Sequence, residues 1–223
     1  MSLRRILRLR AHGAPRRIAY DRNGKIFVAD LDGTHSKKIA EGDWPEISPD
    51  GSHVAFNTQG DAKNRPGPER HIVIVDVASN KVTVVPNIPS DNCYGPVWSP
   101  DGKQLAFSIM TDHAWHLGLV SADGSGFRVV KNAELRSEAF GAPEWARDGK
   151  SIFCHDLENI YRIDLDGNVL KKWELSKILT DASMNGGDRL SVSPEGDALL
   201  MDVDCGSEHE RKNLDGPQPA IET

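Results

Sequence analysis

One short phrase recurs four times in this chain of 223 residues. It reads Trp44-Pro-Glu-Ile-Ser-Pro-Asp-Gly51, Gly95-Pro-Val-Trp-Ser-Pro-Asp-Gly102, Ala142-Pro-Glu-Trp-Ala-Arg-Asp-Gly149 and Arg189-Leu-Ser-Val-Ser-Pro-Glu-Gly196. A period in the range of about 20–50 residues is the mark of solenoids, propellers and arrays. The phrase is also chemically explicit: proline presets φ, aspartate bonds the backbone of the turn, and glycine accepts φ > 0. A β-rich run follows each copy: His53–Phe56, Gln104–Phe107, Ser151–Cys154 and Ala198–Met201. Second runs lie at Ile72–Val77, Trp115–Val120 and Ile160–Leu165, and third runs at Val82–Val85, Phe127–Val130 and Val169–Trp173. Asp32-Gly33, Asp123-Gly124 and Asp166-Gly167 mark a second hairpin, between the third and fourth strands, in three of the units.

A degenerate copy precedes these, because Ile18–Gly33 aligns without gaps on Ile152–Gly167. That register makes Ile6–Ala11 an opening strand and His12-Gly-Ala-Pro15 its turn. Units of four short strands with almost no helical pattern predict an all-β fold, a β-propeller of four-stranded antiparallel blades. A solenoid with its own hairpins is the structural alternative. The expected blades are 5–42, 43–87, 94–132, 141–177 and 188–223 within one domain, four complete and the last incomplete. Gly95–Phe107, and Trp98-Ser-Pro-Asp-Gly-Lys103 above all, resembles the repeat of the TolB-like (WD-repeat-like) propellers. The resemblance covers nearly the whole chain. It implies the fold, and it implies a scaffold, a peptidase-gating domain or a polysaccharide-active enzyme, since one blade type serves all three. Such propellers have six blades, which would need about 270 residues. The segment Lys212–Ile221 echoes Lys63–Ile72, where a third strand begins, so the ring is expected to be incomplete or atypically short. An open ring would present strand edges for self-association.

Charge narrows the partners. Lys and Arg number 27 against 33 Asp and Glu, a net charge of −6, whereas nucleic-acid binding needs a basic face. Apolar stretches such as Ile72–Val75 fall far short of the roughly 18 residues that span a bilayer, so neither nucleic acid nor membrane insertion is expected. Cys93, Cys154 and Cys205 are odd in number and form no CxxC, which argues against a disulfide framework and against a cysteine zinc site. Buried or loop thiols are expected. The basic start, with Arg4, Arg5, Arg8 and Arg10 around Ile6, Leu7 and Leu9, reads as a strand with one solvated face. It lacks the apolar segment of a signal peptide, so the chain reads as cytoplasmic as sequenced, and as periplasmic if a leader has been removed.

The loops that enter the innermost strands, and those joining second to third strands, carry function on such a scaffold. The ligand- or partner-binding candidates are Asp43, Trp44, Asn92, Tyr94, Asp112, His113, Glu138, Phe140, His155 and Asp156. Glu46 and Glu144 share one column of the innermost strand and are expected to line a channel, with a solvated face as the simplest reading. Ile47, Trp98, Trp145 and Val192 form the next column and read as core between blades. His113 and His116 are three apart and diverge on a strand, which argues against a metal. His155 and Asp156 diverge for the same reason. No Gly-x-Ser-x-Gly elbow or phosphate loop occurs, and no catalytic residue, metal or cofactor is assigned. The leading expectation is a non-enzymatic scaffold that binds a protein or peptide. The alternatives are a saccharide- or peptide-active enzyme with carboxylates and a histidine at the mouth, and the gating propeller of a larger hydrolase.

Overall fold

The structure is a computed structural model that describes residues 17–59, 69–131 and 141–205. The expected opening strand at Ile6–Ala11, the candidates Glu138 and Phe140, and the Lys212–Ile221 segment lie outside the described residues. The chain divides into two compact units, one within Met1–Met110 and Gly118–Arg128, the other within Thr111–Leu117 and Val129–Thr223.

The strands fall where the repeat places them. β1 (Arg17–Arg22), β2 (Lys25–Asp30) and β3 (Lys37–Glu41) form a three-stranded antiparallel sheet. β4 (Asp43–Ile47), β5 (His53–Asn57), β6 (Ile72–Asp76) and β7 (Val82–Val84) form the first four-stranded blade. β8 (Cys93–Trp98), β9 (Gln104–Thr111), β10 (Ala114–Ser121) and β11 (Arg128–Val130) form the next. β12 (Gly141–Trp145), β13 (Ser151–His155), β14 (Asn159–Asp164) and β15 (Val169–Glu174) form another. Ahead of Arg189 lie a one-turn helix, α1 (Leu175–Ile178), and β16 (Ala182–Ser183). β17 (Leu190–Val192) pairs with β18 (Leu199–Met201), and β19 (Asp204–Cys205) returns to β16. Leu175 is buried in the core there, and its carbonyl accepts the Leu179 N–H, which accounts for the helical turn.

The Ser-Pro-Asp-Gly turns hold as their chemistry requires. Asp50 Oδ1 accepts Ser48 Oγ at 2.6 Å, Ser52 N–H at 3.0 Å and Ser52 Oγ at 2.7 Å. These bonds lower its pKa to about 2, the Ser48 hydroxyl first among them. Asp101 repeats the arrangement with Ser99 Oγ at 2.6 Å and the Lys103 N–H. Gly51, Gly102, Gly149 and Gly196 all have positive φ, which glycine takes without steric penalty. In the Ala146-Arg147-Asp148-Gly149 copy the proline is replaced, and Arg147 instead donates to the Ser193 and Val192 carbonyls of the following turn.

Each unit has its own core. In the first, Ile26 and Val28, Val54 and Phe56, and Val73 and Val75 alternate along their strands and pack together with Ile39. In the second, Phe153, Ile160, Leu175, Met184, Leu190 and Val192 pack together. Each such buried side chain stabilises by about 1.5–3 kcal/mol. The column expected between blades is buried at Trp98, Trp145 and Val192 and half-buried at Ile47. Trp98 Nε1–H donates to the Glu46 carbonyl at 3.0 Å and so ties the β8 blade to the β4 blade.

Candidate functional site

Three innermost strands, β4, β8 and β12, kink at one repeat position. The pairing register shifts between Asp43 and Glu46, between Tyr94 and Val97, and between Gly141 and Glu144. At each bulge the residue before proline has left-handed φ: +60° at Trp44, +65° at Gly95 and +49° at Ala142. Such backbone suits glycine; for a bulky residue it is a strained conformation, costing about 1–3 kcal/mol. Trp44 therefore stands where the other two bulged strands place glycine and alanine.

That geometry sets the Trp44 side chain against the next blade. Its ring meets the Tyr94 ring edge-on, with centroids 5.7 Å apart. It also passes over Gly95, where a Cβ would sit 3.8 Å from Trp44 Cε3. The Arg70 guanidinium lies over the other aromatic, its Cζ 5.9 Å from the Tyr94 centroid. Arg70 is held from the backbone: its N–H donates to the Asp91 carbonyl at 2.6 Å, and its carbonyl accepts the Cys93 N–H at 2.9 Å. Asn92 pairs with it in a parallel bridge, and the buried Asn92 Oδ1 has no hydrogen-bond partner among the described residues. Asp43 accepts from Gln59 Nε2 at 3.1 Å. Asp43, Trp44, Asn92 and Tyr94, expected separately as binding residues, are thus brought to one end of two neighbouring blades. Sequence reasoning missed Arg70, because nothing local in the sequence marks its approach to Tyr94 on the next blade.

A second column explains the histidine. Asn57, Ser108 and His155 are equivalent repeat positions, paired opposite Asp43, Tyr94 and Gly141, and all three are buried. Asn57 Oδ1 accepts the Gly95 N–H at 3.3 Å. His155 Nδ1 accepts the Leu157 N–H at 3.3 Å, leaving Nε2–H to face the Asp188 carbonyl, also at 3.3 Å. Both side chains latch one blade to the start of the next inner strand. The serine hydroxyl at the equivalent Ser108 has no partner among the described residues.

His155 is therefore wholly buried with both ring nitrogens bonded, not presented at a mouth as expected. Burial pulls its pKa below the ordinary 6.5, against the opposing pull of Asp188, so the neutral ring is favoured. Asp156 diverges from it and accepts from the Glu158 and Asn159 N–H groups, from Asn159 Nδ2 and from Tyr161 Oη at 2.6 Å. Burial and this carboxylate raise the Tyr161 pKa. Glu46 and Glu144 are buried, 4% and 1% exposed, instead of solvated on a channel face. Glu144 Oε1 accepts the Val192 N–H at 3.5 Å, another tie to the next inner strand. Asp112 and His113 are the two central residues of a tight hairpin, with φ of +53° and +63°. Both are exposed, and among the described residues no group of three or more His, Cys, Asp or Glu converges to hold a metal ion.

Cys93 and Cys154 are free and buried; burial pushes the Cys93 thiol up to about 12 and Cys154 well above the usual range, so both pack as apolar groups. At the opposite, Ser-Pro-Asp-Gly end of the first unit, a groove of 750 Å³ is lined by Asp50, His53, Asp76, Lys81, Trp98 and Asp101 among others.

No protein-family model and no curated protein matches this chain. Solved structures do. A structure assigned as TolB from Agrobacterium tumefaciens is similar at 18% identity and a TM-score of 0.61, over 86% of this chain and 70% of that one. TolB from Acinetobacter baumannii is similar at 18% identity and 0.56, over 84% and 48%. An oligogalacturonate lyase in complex with manganese is similar at 18% identity and 0.57, over 87% and 56%. The chain thus spans about half the length of the latter two. With the blade pattern, the bulged inner strands and these likenesses together, the chain has the TolB-like β-propeller fold.

Proposed function

We propose that this propeller is a non-enzymatic binding scaffold that takes a protein or peptide segment on the face made by Asp43, Trp44, Arg70, Asn92 and Tyr94. One observation carries the reading: a tryptophan occupies, at φ +60°, the position that the other bulged inner strands give to glycine and alanine. A strained bulky side chain persists where surrounding structure or function demands it, and such strain clusters at ligand-binding positions. The ring is half-buried, stands against Tyr94 and is flanked by a cation, the composition that supplies most energy at binding surfaces.

The alternative, an enzyme acting on a saccharide or peptide, would draw on groups with other commitments. His155 has both nitrogens bonded, Asp156 is saturated by its own turn, and Glu46 and Glu144 are buried within the blades. Selection of a random dodecapeptide library on the purified chain tests the reading. Sequence-specific binders are expected, and Trp44→Gly and Tyr94→Ala each weaken them about ten-fold or more. Binders indifferent to both substitutions would refute this face, and turnover of oligogalacturonate would overturn the non-enzymatic reading.

A further inference from the structure

Arginine offers five N–H donors in a planar fork, and stacking on an aromatic ring engages only its face. Arg70 is half-buried, its backbone is fixed on both sides by the Asp91 and Cys93 hydrogen bonds, and its guanidinium lies over Tyr94. Among the described residues that guanidinium makes no ion pair and donates no hydrogen bond, although carboxylates outnumber cations in this chain. Among the described residues nothing engages the in-plane edge of the fork, beside the Trp44–Tyr94 pair. A planar carboxylate matches that edge with two parallel N–H···O bonds. Backbone amides of a ligand do not match it, and a cationic side chain would be repelled.

We propose that Arg70 is the carboxylate-reading element of this face, so that the segment bound there carries an acidic side chain or a free C-terminal carboxylate next to the group that packs on Trp44. This rests on the binding reading above and adds the chemistry of the ligand. Tyr94 acts as the platform: it limits the rotamers of the guanidinium and shields one side of it from water, which strengthens the charge-assisted bonds. The net charge of −6 disfavours anions held by charge alone, so recognition depends on the fork and not on a diffuse positive field.

The test is a pair of random dodecapeptide libraries, one with free and one with amidated C termini, selected on wild type, Arg70→Gln, Arg70→Lys and Tyr94→Leu. Wild type is expected to enrich aspartate or glutamate at a fixed position about ten-fold in the amidated library if the source is a side chain. If the source is the chain terminus, binders come only from the free library. Arg70→Gln abolishes either preference while Trp44-dependent binding persists weakly. Arg70→Lys keeps the charge without the fork and retains a preference reduced several-fold, as does Tyr94→Leu, and unchanged thermal unfolding shows that the variants are folded. Binders that depend on Trp44 but show no acidic or terminal preference, or a preference that survives Arg70→Gln, overturn the carboxylate proposal and leave the binding face standing. A library that yields no binders overturns both.

Discussion

The starts of the β4 and β8 strands and the starts of the β12 and β17 strands use the same repeat positions for opposite ends. In the first pair the position before proline is Trp44, the neighbour is Tyr94, and the latch is the compact amide of Asn57, bonded to Gly95. In the second pair the position before proline is Ala142, the residue that stands where Tyr94 does is Asp188, and the latch is the ring of His155, which faces the Asp188 carbonyl. Where the latch is small, the aromatic groups stand half-exposed. Where it is large, the polar chemistry is turned inward and consumed by the fold. A histidine among carboxylates is thus no sign of catalysis by itself; the decisive feature is whether its two nitrogens are already spent.

The comparison can be broken at its strongest point first. His155→Ala should cost about 3 kcal/mol in urea unfolding, through the cavity and the stranded Asp188 and Leu157 groups. Its pH signature has a definite sign. The native ring has a pKa below 6.5 and the unfolded ring does not, so between those values the unfolded chain binds more protons and stability falls as pH drops from about 7. That component is fully present above the unfolded pKa and should vanish in the variant. A substitution cost well under 1 kcal/mol would mean that the latch is dispensable.

Trp98→Phe comes next, at about 1–2 kcal/mol, because the buried Glu46 carbonyl loses its donor. Trp44→Gly should change thermal stability by no more than about 1 kcal/mol, since relief of left-handed strain offsets lost ring packing. Large destabilisation there would make Trp44 a structural residue and weaken the case for a binding face. The smallest effect is expected for Ser108→Ala, within a few tenths of a kcal/mol and of either sign, because it removes a buried hydroxyl with no partner among the described residues. A loss above 1 kcal/mol would reveal a bonded water or ligand at that hydroxyl.

Much of the fold was legible because turn chemistry is local. Ser48, Asp50 and Gly51 specify their turn without reference to the rest of the chain, and every later strand of the unit is counted from it. The ungapped alignment of Ile18–Gly33 on Ile152–Gly167 likewise placed β1 and β2 from β13 and β14. The proposed face was legible in part. Asp43, Trp44, Asn92 and Tyr94 were singled out from loop position, but Arg70 was passed over, because its partner Tyr94 lies on another blade. His155 was read as exposed because a strand end gives no sign of burial when the covering group, the Asp188 carbonyl, is distant in sequence.

The sequence by itself determined the blade period, the strand order within each blade, the turn residues and the buried Trp98 and Trp145 column. All of these depend on interactions within a few residues or on the two-residue alternation of a strand. Only the tertiary structure decided that Trp44 adopts left-handed backbone, that Glu46 and Glu144 are buried, that Asp112 and His113 form a hairpin turn, and that Arg70 rests on Tyr94. Those outcomes are set by what the neighbouring blade places within hydrogen-bonding or van der Waals reach, and a repeat pattern carries no record of that distance.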